Sequence, residues 1–328
     1  MLPTKNKVRH KQNNIWIHTG DVSRVRNSVG SNSVYGSMDY KGINTNGEAK
    51  FITRHGFVFF ADFNEQLKKY NVTTQKLLTF IIKLLNDNNS HLKVLGKNVN
   101  TIVKFLISDY QKLRKVEGYR SLKEQILNDF EILFNMRIDW QDLIYEWRKQ
   151  PKSINYSMRI LSSKINTSRG EIAVNFTTEI ANYLLNSPIM ELPSYYWQAS
   201  DIAAQTIFKL AILCRTKQNK QHQDTIRIDT TIQDLIHAIP SIKEPKDDRH
   251  IKRYVINRLE KGLEELKEKK ICNWCYCDAN KNPLSNNQLY WNKQDNKNYV
   301  RWNMYKQLHI LFTPTIDTKK CNSNSFIN

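Results

Sequence analysis

The sequence predicts an α+β fold built from two tandem units of one plan behind a disordered basic N-terminal arm. Three observations carry this. Short β-rich runs alternate with helical periodicities in the order strand, helix, strand, helix–turn–helix, hairpin. The same order of helices and strands returns in the second half of the chain. Residues 248–270, DRHIKRYVINRLEKGLEELKEKK, read as one long amphipathic helix with an apolar back and a basic front.

Taken in order, residues 1–50 are polar, with Gly20, Gly30, Gly36, Gly42 and Gly47 among many Ser and Asn, and predict a largely disordered basic arm. Residues 51–61, FITRHGFVFFA, are rich in β-formers and predict one strand. Thr73 or Thr74 then caps a helix reaching about residue 85, with Leu77, Leu78, Ile81, Leu84 and Leu85 facing a core. Residues 102–107 are a short apolar strand, and Ser108 caps the short helix SDYQKLRKV. After a turn at Glu117-Gly118-Tyr119, Ser121 and Glu124 have capping-box spacing and open a second helix. Its buried stripe is Leu122, Ile126, Phe130 and Leu133. Beyond RIDW and a polar loop, SMRILSSKI and EIAVNF are strands, joined by the turn Thr167-Ser168-Arg169-Gly170. Three helices that support a β-hairpin wing make a winged helix, whose third helix can enter a DNA groove. Residues 177–185 add a closing helix, and Pro188 and Pro193 punctuate a boundary.

The second unit opens with a helix over residues 198–215, with Ile202, Thr206, Leu210 and Leu213 near one face. A polar loop (217–224), a brief strand (226–228) and a short helix (231–239) stopped at Pro240 follow. In the long helix after them, stepping about 100° per residue puts Ile251, Val255, Leu259, Leu263 and Leu266 on one stripe. The opposite side carries Lys246, Arg249, His250, Arg253, Asn257 and Lys261. ICNWCYCDA and YVRWNMYKQLHILF are read as strands enclosing a long polar wing that carries Lys281, Lys293 and Lys297. The expected divisions are an arm (1–50), a first winged-helix domain (51–190), a second (191–315) and a tail (316–328).

Fifty Lys+Arg against thirty-one Asp+Glu give the 328-residue chain a charge of +19, which favours a polyanionic partner. No run of eighteen apolar residues suggests a membrane span, and the charged start has no apolar stretch behind it. Five cysteines, odd in number and mostly clustered, do not form a secreted disulfide framework, so a cytoplasmic protein without a membrane partner is expected. Cys272, Cys275 and Cys277 form C-x-x-C-x-C; three thiolates and one further ligand could hold zinc. No second C-x-x-C follows, and strand alternation separates Cys272 from the other two, so buried thiols and no metal are expected. There is no G-x-x-x-x-G-K-[ST] and no His-x-His site with a downstream tyrosine. Neither an enzyme activity nor a cofactor is expected.

On the reading side of the long helix, an arginine can fork guanine, and lysines such as Lys246 and Lys261 can clamp phosphates. In the first unit the side opposite the apolar stripe carries Glu124, Asn128 and Glu131, and two carboxylates there would repel phosphate. That unit is expected to contribute through Arg120, Lys123 and its wing, which carries Arg169, or to serve chiefly in dimer contacts.

Finally, SDYQKLRKVEGYRSLKEQILNDFEILFNMRIDW resembles the first-domain helix–turn–helix of iteron-binding plasmid replication initiator (Rep) proteins, as does EIAVNFTTEIANYLLNSP. AAQTIFKLAILCRT resembles the helix that opens their second domain, although only Lys209 and Arg215 stand where the family usually carries a basic run. The resemblance implies a tandem winged-helix protein that binds repeated sites at an origin, helps open the duplex and recruits host replication proteins. It implies double-stranded origin DNA, host replication proteins and a second copy of the chain, as a homodimer or a monomer–dimer equilibrium, as partners. A winged-helix regulator of its own or a neighbouring promoter is the alternative.

Overall fold

The structure is a computed structural model. It describes residues 23–26, 39–43, 49–53, 56–60, 71–89, 99–135, 137–144, 152–166, 170–186, 189–218, 227–239, 241–242, 245, 248–285, 288–289 and 300–314.

Four short strands come first: β1 (Ser23–Arg26), β2 (Asp39–Ile43), β3 (Ala49–Thr53) and β4 (Gly56–Phe60). β1, β2 and the start of β3 fall within the stretch expected as a disordered arm; its other residues lie outside the described ones. The single strand expected over residues 51–61 is instead part of a hairpin, with Ala49 opposite Phe60 and Thr53 opposite Gly56. Folding back pairs backbone groups that a lone strand would leave without partners.

The first winged helix follows. Its parts are α1 (Val72–Asn88), β5 (Ile102–Leu106), α2 (Ile107–Arg114) and α3 (Tyr119–Asn135). An inserted antiparallel pair, β6 (Arg137–Ile144) and β7 (Lys152–Arg159), comes next, and then β8 (Leu161–Asn166) and β9 (Glu171–Phe176). β5, β9 and β8 form one antiparallel sheet in that order, whereas β6 and β7 join β2, β3 and β4 in a five-stranded sheet. SMRILSSKI is therefore not one strand: it changes sheet at Ile160. Ile160 and Leu161 are both buried, which a single strand with alternating faces does not allow.

α4 (Thr178–Asn186) closes this unit, and β10 (Ile189–Leu192) pairs antiparallel with β1. A 3₁₀ turn, Ser194–Trp197, leads to the second winged helix. That unit comprises α5 (Asp201–Gln218), β11 (Ile228–Thr231), α6 (Ile232–His237), a π turn (Lys252–Ile256) running into α7 (Asn257–Glu268), β12 (Cys272–Cys277), α8 (Trp302–Tyr305) and β13 (His309–Pro314). Its sheet order is β11–β13–β12. In both units, then, the last strand lies between the first and the second of its sheet. The duplication read from element order is present in the strand order.

Several local signals resolve differently from their sequence reading. Asn71, not Thr73 or Thr74, caps α1, its Oδ1 accepting the Thr73 and Thr74 amides at 2.9 and 3.1 Å. The two threonine hydroxyls instead donate to the buried Asp129 carboxylate of α3, at 3.0 and 2.6 Å. Ser108 lies inside α2, whose N-cap Leu106 makes no side-chain bond. Ser121 lies in the first turn of α3 and donates to the Gly118 carbonyl, so no capping box forms. α5 is buried on nearly every side from Ile202 to Ala211, not along one stripe. Residues 302–305, read as strand, instead form α8, whose Trp302 and Tyr305, three apart, are both buried.

The two units share one core. Tyr196 and Trp197 of the 3₁₀ turn are fully buried, and the Trp197 ring sits 6.2 Å from Phe80 of α1. The Ala199–Ser200 peptide group is gripped from both sides. Its carbonyl accepts from Lys76 Nζ of α1 at 2.7 Å, and its N–H donates to Glu265 Oε1 of α7 at 2.9 Å. Among the described residues no helix is long and apolar enough to cross a membrane.

Burial pulls the Lys76 amine down from 10.5 to about 8. The unfolded chain therefore binds more protons between those two values, and this residue's contribution favours folding increasingly as pH rises through that window. Relative to Lys76→Met, the wild type is expected to gain about 1–2 kcal/mol in urea unfolding between pH 7.5 and 9.5. Taking the difference cancels the thiols that titrate in the same range. A constant gap would mean that the Lys76 amine keeps its ordinary affinity for the proton.

A candidate nucleic-acid interface

The long helix of the second unit is not one uniform α-helix. His250 adopts a left-handed φ of 61°, and the helix starts immediately after it. Its first part is a π turn, closed by the Asn257 amide on the Lys252 carbonyl. A π turn inserts one residue into the helical repeat. Uniform stepping misses the consequence: Val255 and the adjacent Ile256 are both buried, with Ile251, Leu259, Gly262, Leu263 and Leu266. The far end is closed by a Schellman motif, in which Ile271 N–H reaches the Leu266 carbonyl at 2.9 Å and Lys270 takes φ 55°.

Two of the helix's carboxylates face inward. Glu265 accepts from Tyr195 Oη at 2.7 Å and from the Ser200 amide. Burial pushes its carboxyl up, but the Ser200 and Tyr195 hydrogen bonds and the Lys76 charge outweigh this and leave it lowered. Glu260 accepts from Tyr276 Oη of β12 at 3.1 Å, and that hydroxyl also meets Tyr305 Oη at 3.1 Å. Here burial prevails and the Glu260 carboxyl is raised. Glu264 is exposed, 3.6 Å from Lys267. Thus Glu260 and Glu265 anchor the helix, while Arg253, Tyr254, Asn257, Arg258 and Lys261 are exposed.

Of the expected site residues, Arg249, His250, Arg253, Asn257 and Lys261 all lie exposed on this element or at its start. Asp248, just before them, accepts the Trp302 amide at 2.7 Å and so ties the start of this helix to α8. Lys281 lies at the wing base with φ 69°, in a turn organised by Asp278, and its Nζ is 3.3 Å from Asp229 of β11. Its amine therefore already has a carboxylate partner on the sheet. Lys246, Arg169, Lys293 and Lys297 lie outside the described residues.

In the first unit, α3 exposes Arg120, Glu124, Asn128 and Glu131, and Lys123 is half-buried. Arg120 Nε stands 3.4 Å from Glu124 Oε1 in an exposed pair. This face is mixed in charge, whereas the second-unit helix exposes no carboxylate between Arg249 and Lys261. Tyr254 and Arg258, which are not among the expected site residues, are exposed on the same helix; the adjacent apolar pair Val255-Ile256 is the sign in the sequence that the helical repeat changes there.

The three cysteines on β12 remain thiols: Cys272 and Cys277 are buried and Cys275 is half-buried. Among the described residues no group of three His, Cys, Asp or Glu side chains could hold a metal ion.

Neither a family model nor a curated protein matches the chain. It is similar in structure to domains 2 and 3 of RctB, at 11% identity and TM-score 0.41 over 69% of this chain and 80% of that one. A second RctB structure of these domains, residues 155–483, gives 9% and 0.40 over 87% and 93%. The WH1 domain of MSBI1.176, a replication protein isolated from a multiple sclerosis patient, gives 16% and 0.24 over 38% and 92%. These likenesses are loose, and the winged-helix assignment rests on the strand order of the two sheets themselves.

α7 sits where it does because Gly262 lets it approach α5 closely: a Cβ there would meet Ile202 Cγ2 at 2.5 Å. On an open helix Gly→Ala stabilises by roughly 1 kcal/mol. Here Gly262→Ala is expected to destabilise by about 1–2 kcal/mol, because overpacking against a stiff β-branched neighbour outweighs propensity. Denaturant unfolding decides the sign; a stabilised variant would show that the two helices separate without cost.

Proposed function

We propose that the chain is a sequence-specific DNA-binding replication initiator without catalytic activity. It acts in the cytoplasm on repeated sites at a plasmid origin, promotes local opening of the duplex and recruits host replication proteins. The observation that carries this reading is the exposed face of the second-unit helix, where Arg253, Asn257, Arg258 and Lys261 stand outward while Glu260 and Glu265 are turned in. Arginine reads guanine bidentately, asparagine reads adenine, and lysine holds phosphate as a point charge. The excess of +19 supplies the long-range attraction. The initiator role draws on the resemblance of the helix–turn–helix and second-domain helix sequences to the Rep family.

Mechanistically, α7 lies in a major groove and the wing flanks the adjacent backbone. The buried junction holds the two units as one body, so binding by the second fixes where the first meets the duplex. Several copies on neighbouring repeats strain the intervening DNA, which opens first at AT-rich, easily deformed steps.

Purified protein is expected to bind the origin-proximal DNA of its own replicon well above random DNA at about 150 mM salt. Arg253→Ala is expected to weaken specific binding about ten-fold or more and random binding little, whereas Lys261→Ala weakens both alike. Equal affinity for origin and random DNA would remove the initiator reading. One operator palindrome beside the gene, in place of direct repeats, would favour a promoter regulator.

A further inference from the structure

Tyr254 stands on the reading helix with no share in the core. It is 53% exposed, and the Arg253 and His250 side chains flank its ring. The Arg253 guanidinium carbon lies 5.5 Å from its ring centre, and the His250 ring meets it edge-on at 5.9 Å. Tyr119, which opens the equivalent helix of the first unit, is also exposed but has a structural task. Its hydroxyl lies so close to Gly170 that any Cβ there would collide with it. Tyr254 braces nothing comparable.

A phenol ring set among cations adds little to the attraction for phosphate. What it offers in a major groove is an apolar surface, and the apolar group that a base edge presents there is the thymine 5-methyl. The ring also takes the Arg253 guanidinium against its face. We infer that Tyr254 is a specificity-determining residue that packs on a thymine methyl beside the guanine read by Arg253. Together the two side chains select a thymine–guanine neighbour pair. This rests on the DNA-binding reading of the helix and deepens it.

The test uses the full chain. The protein selects its preferred sequence from a pool of random duplexes, and each thymine of the selected duplex is then replaced singly by deoxyuridine, which removes only the methyl. Loss of one buried methyl is expected to weaken wild-type binding about four-fold at one thymine next to a guanine. Tyr254→Ala is expected to bind the thymine and uridine duplexes equally at that position, and Tyr254→Phe to keep the discrimination. Affinity for random DNA, unchanged in both variants, reports that they remain folded. If no thymine is sensitive, or Tyr254→Ala remains sensitive, the assignment of Tyr254 falls while the DNA-binding reading stands. If no preferred sequence emerges from the pool, the DNA-binding reading falls and takes this inference with it.

Discussion

One peptide group, Ala199–Ser200, is bonded by both halves of the molecule. Its carbonyl accepts the Lys76 ammonium and its N–H donates to the Glu265 carboxylate. Both partners are charged, and hydrogen bonds to charged groups are the stronger kind. Tyr195, Tyr196 and Trp197 pack just before it, with Tyr195 giving a second hydrogen bond to Glu265. The segment between the units is therefore a buried brace. Because Glu265 belongs to α7, the brace that joins the units also sets where that helix lies.

That helix works by dividing its charges. Carboxylates spread along a basic helix would weaken its attraction for an anion. Here Glu260 is drawn toward Tyr276, and Glu265 toward Tyr195 and Ser200. The same two residues supply the anchoring hydrogen bonds, so the helix is held while its outer face stays basic from Arg249 to Lys261; Glu264 and Glu268 are exposed beyond that stretch. The first unit has no such division on α3, where Arg120 and Glu124 face solvent together as an ion pair. Exposed pairs of this kind contribute little to stability. The two units thus share a strand order and differ in the surface they offer.

Much of this was legible from residue spacing. Leu77, Leu78, Ile81 and Leu85 of α1 and Leu122, Ile126, Phe130 and Leu133 of α3 are all buried, as their helical periods require. The exposure of Glu124, Asn128 and Glu131 followed from the same periods. Less legible were the places where two local signals compete. Thr73 and Thr74 look like caps, but Asp129, more than fifty residues away, takes their hydroxyls. Ile160 reads as the middle of a strand until two different sheets claim its neighbours. YVRWNMY has β-forming residues, yet the Asp248 carboxylate holds the Trp302 amide and a helical turn follows.

For the candidate site, sequence alone determined the inventory: a long helix with an apolar back, several arginines and lysines, and four glutamates. Those facts come from composition and an approximate period, which neighbours in sequence suffice to set. Tertiary structure decided which charges count. It inserted the π turn that buries Ile256 beside Val255, turned Glu260 and Glu265 inward, and paired Lys281 with Asp229. Each of these outcomes depends on a partner from another element of the fold. A side chain's direction on a helix follows from its position, but whether it meets water or a hydrogen-bond donor depends on what the rest of the chain places opposite it.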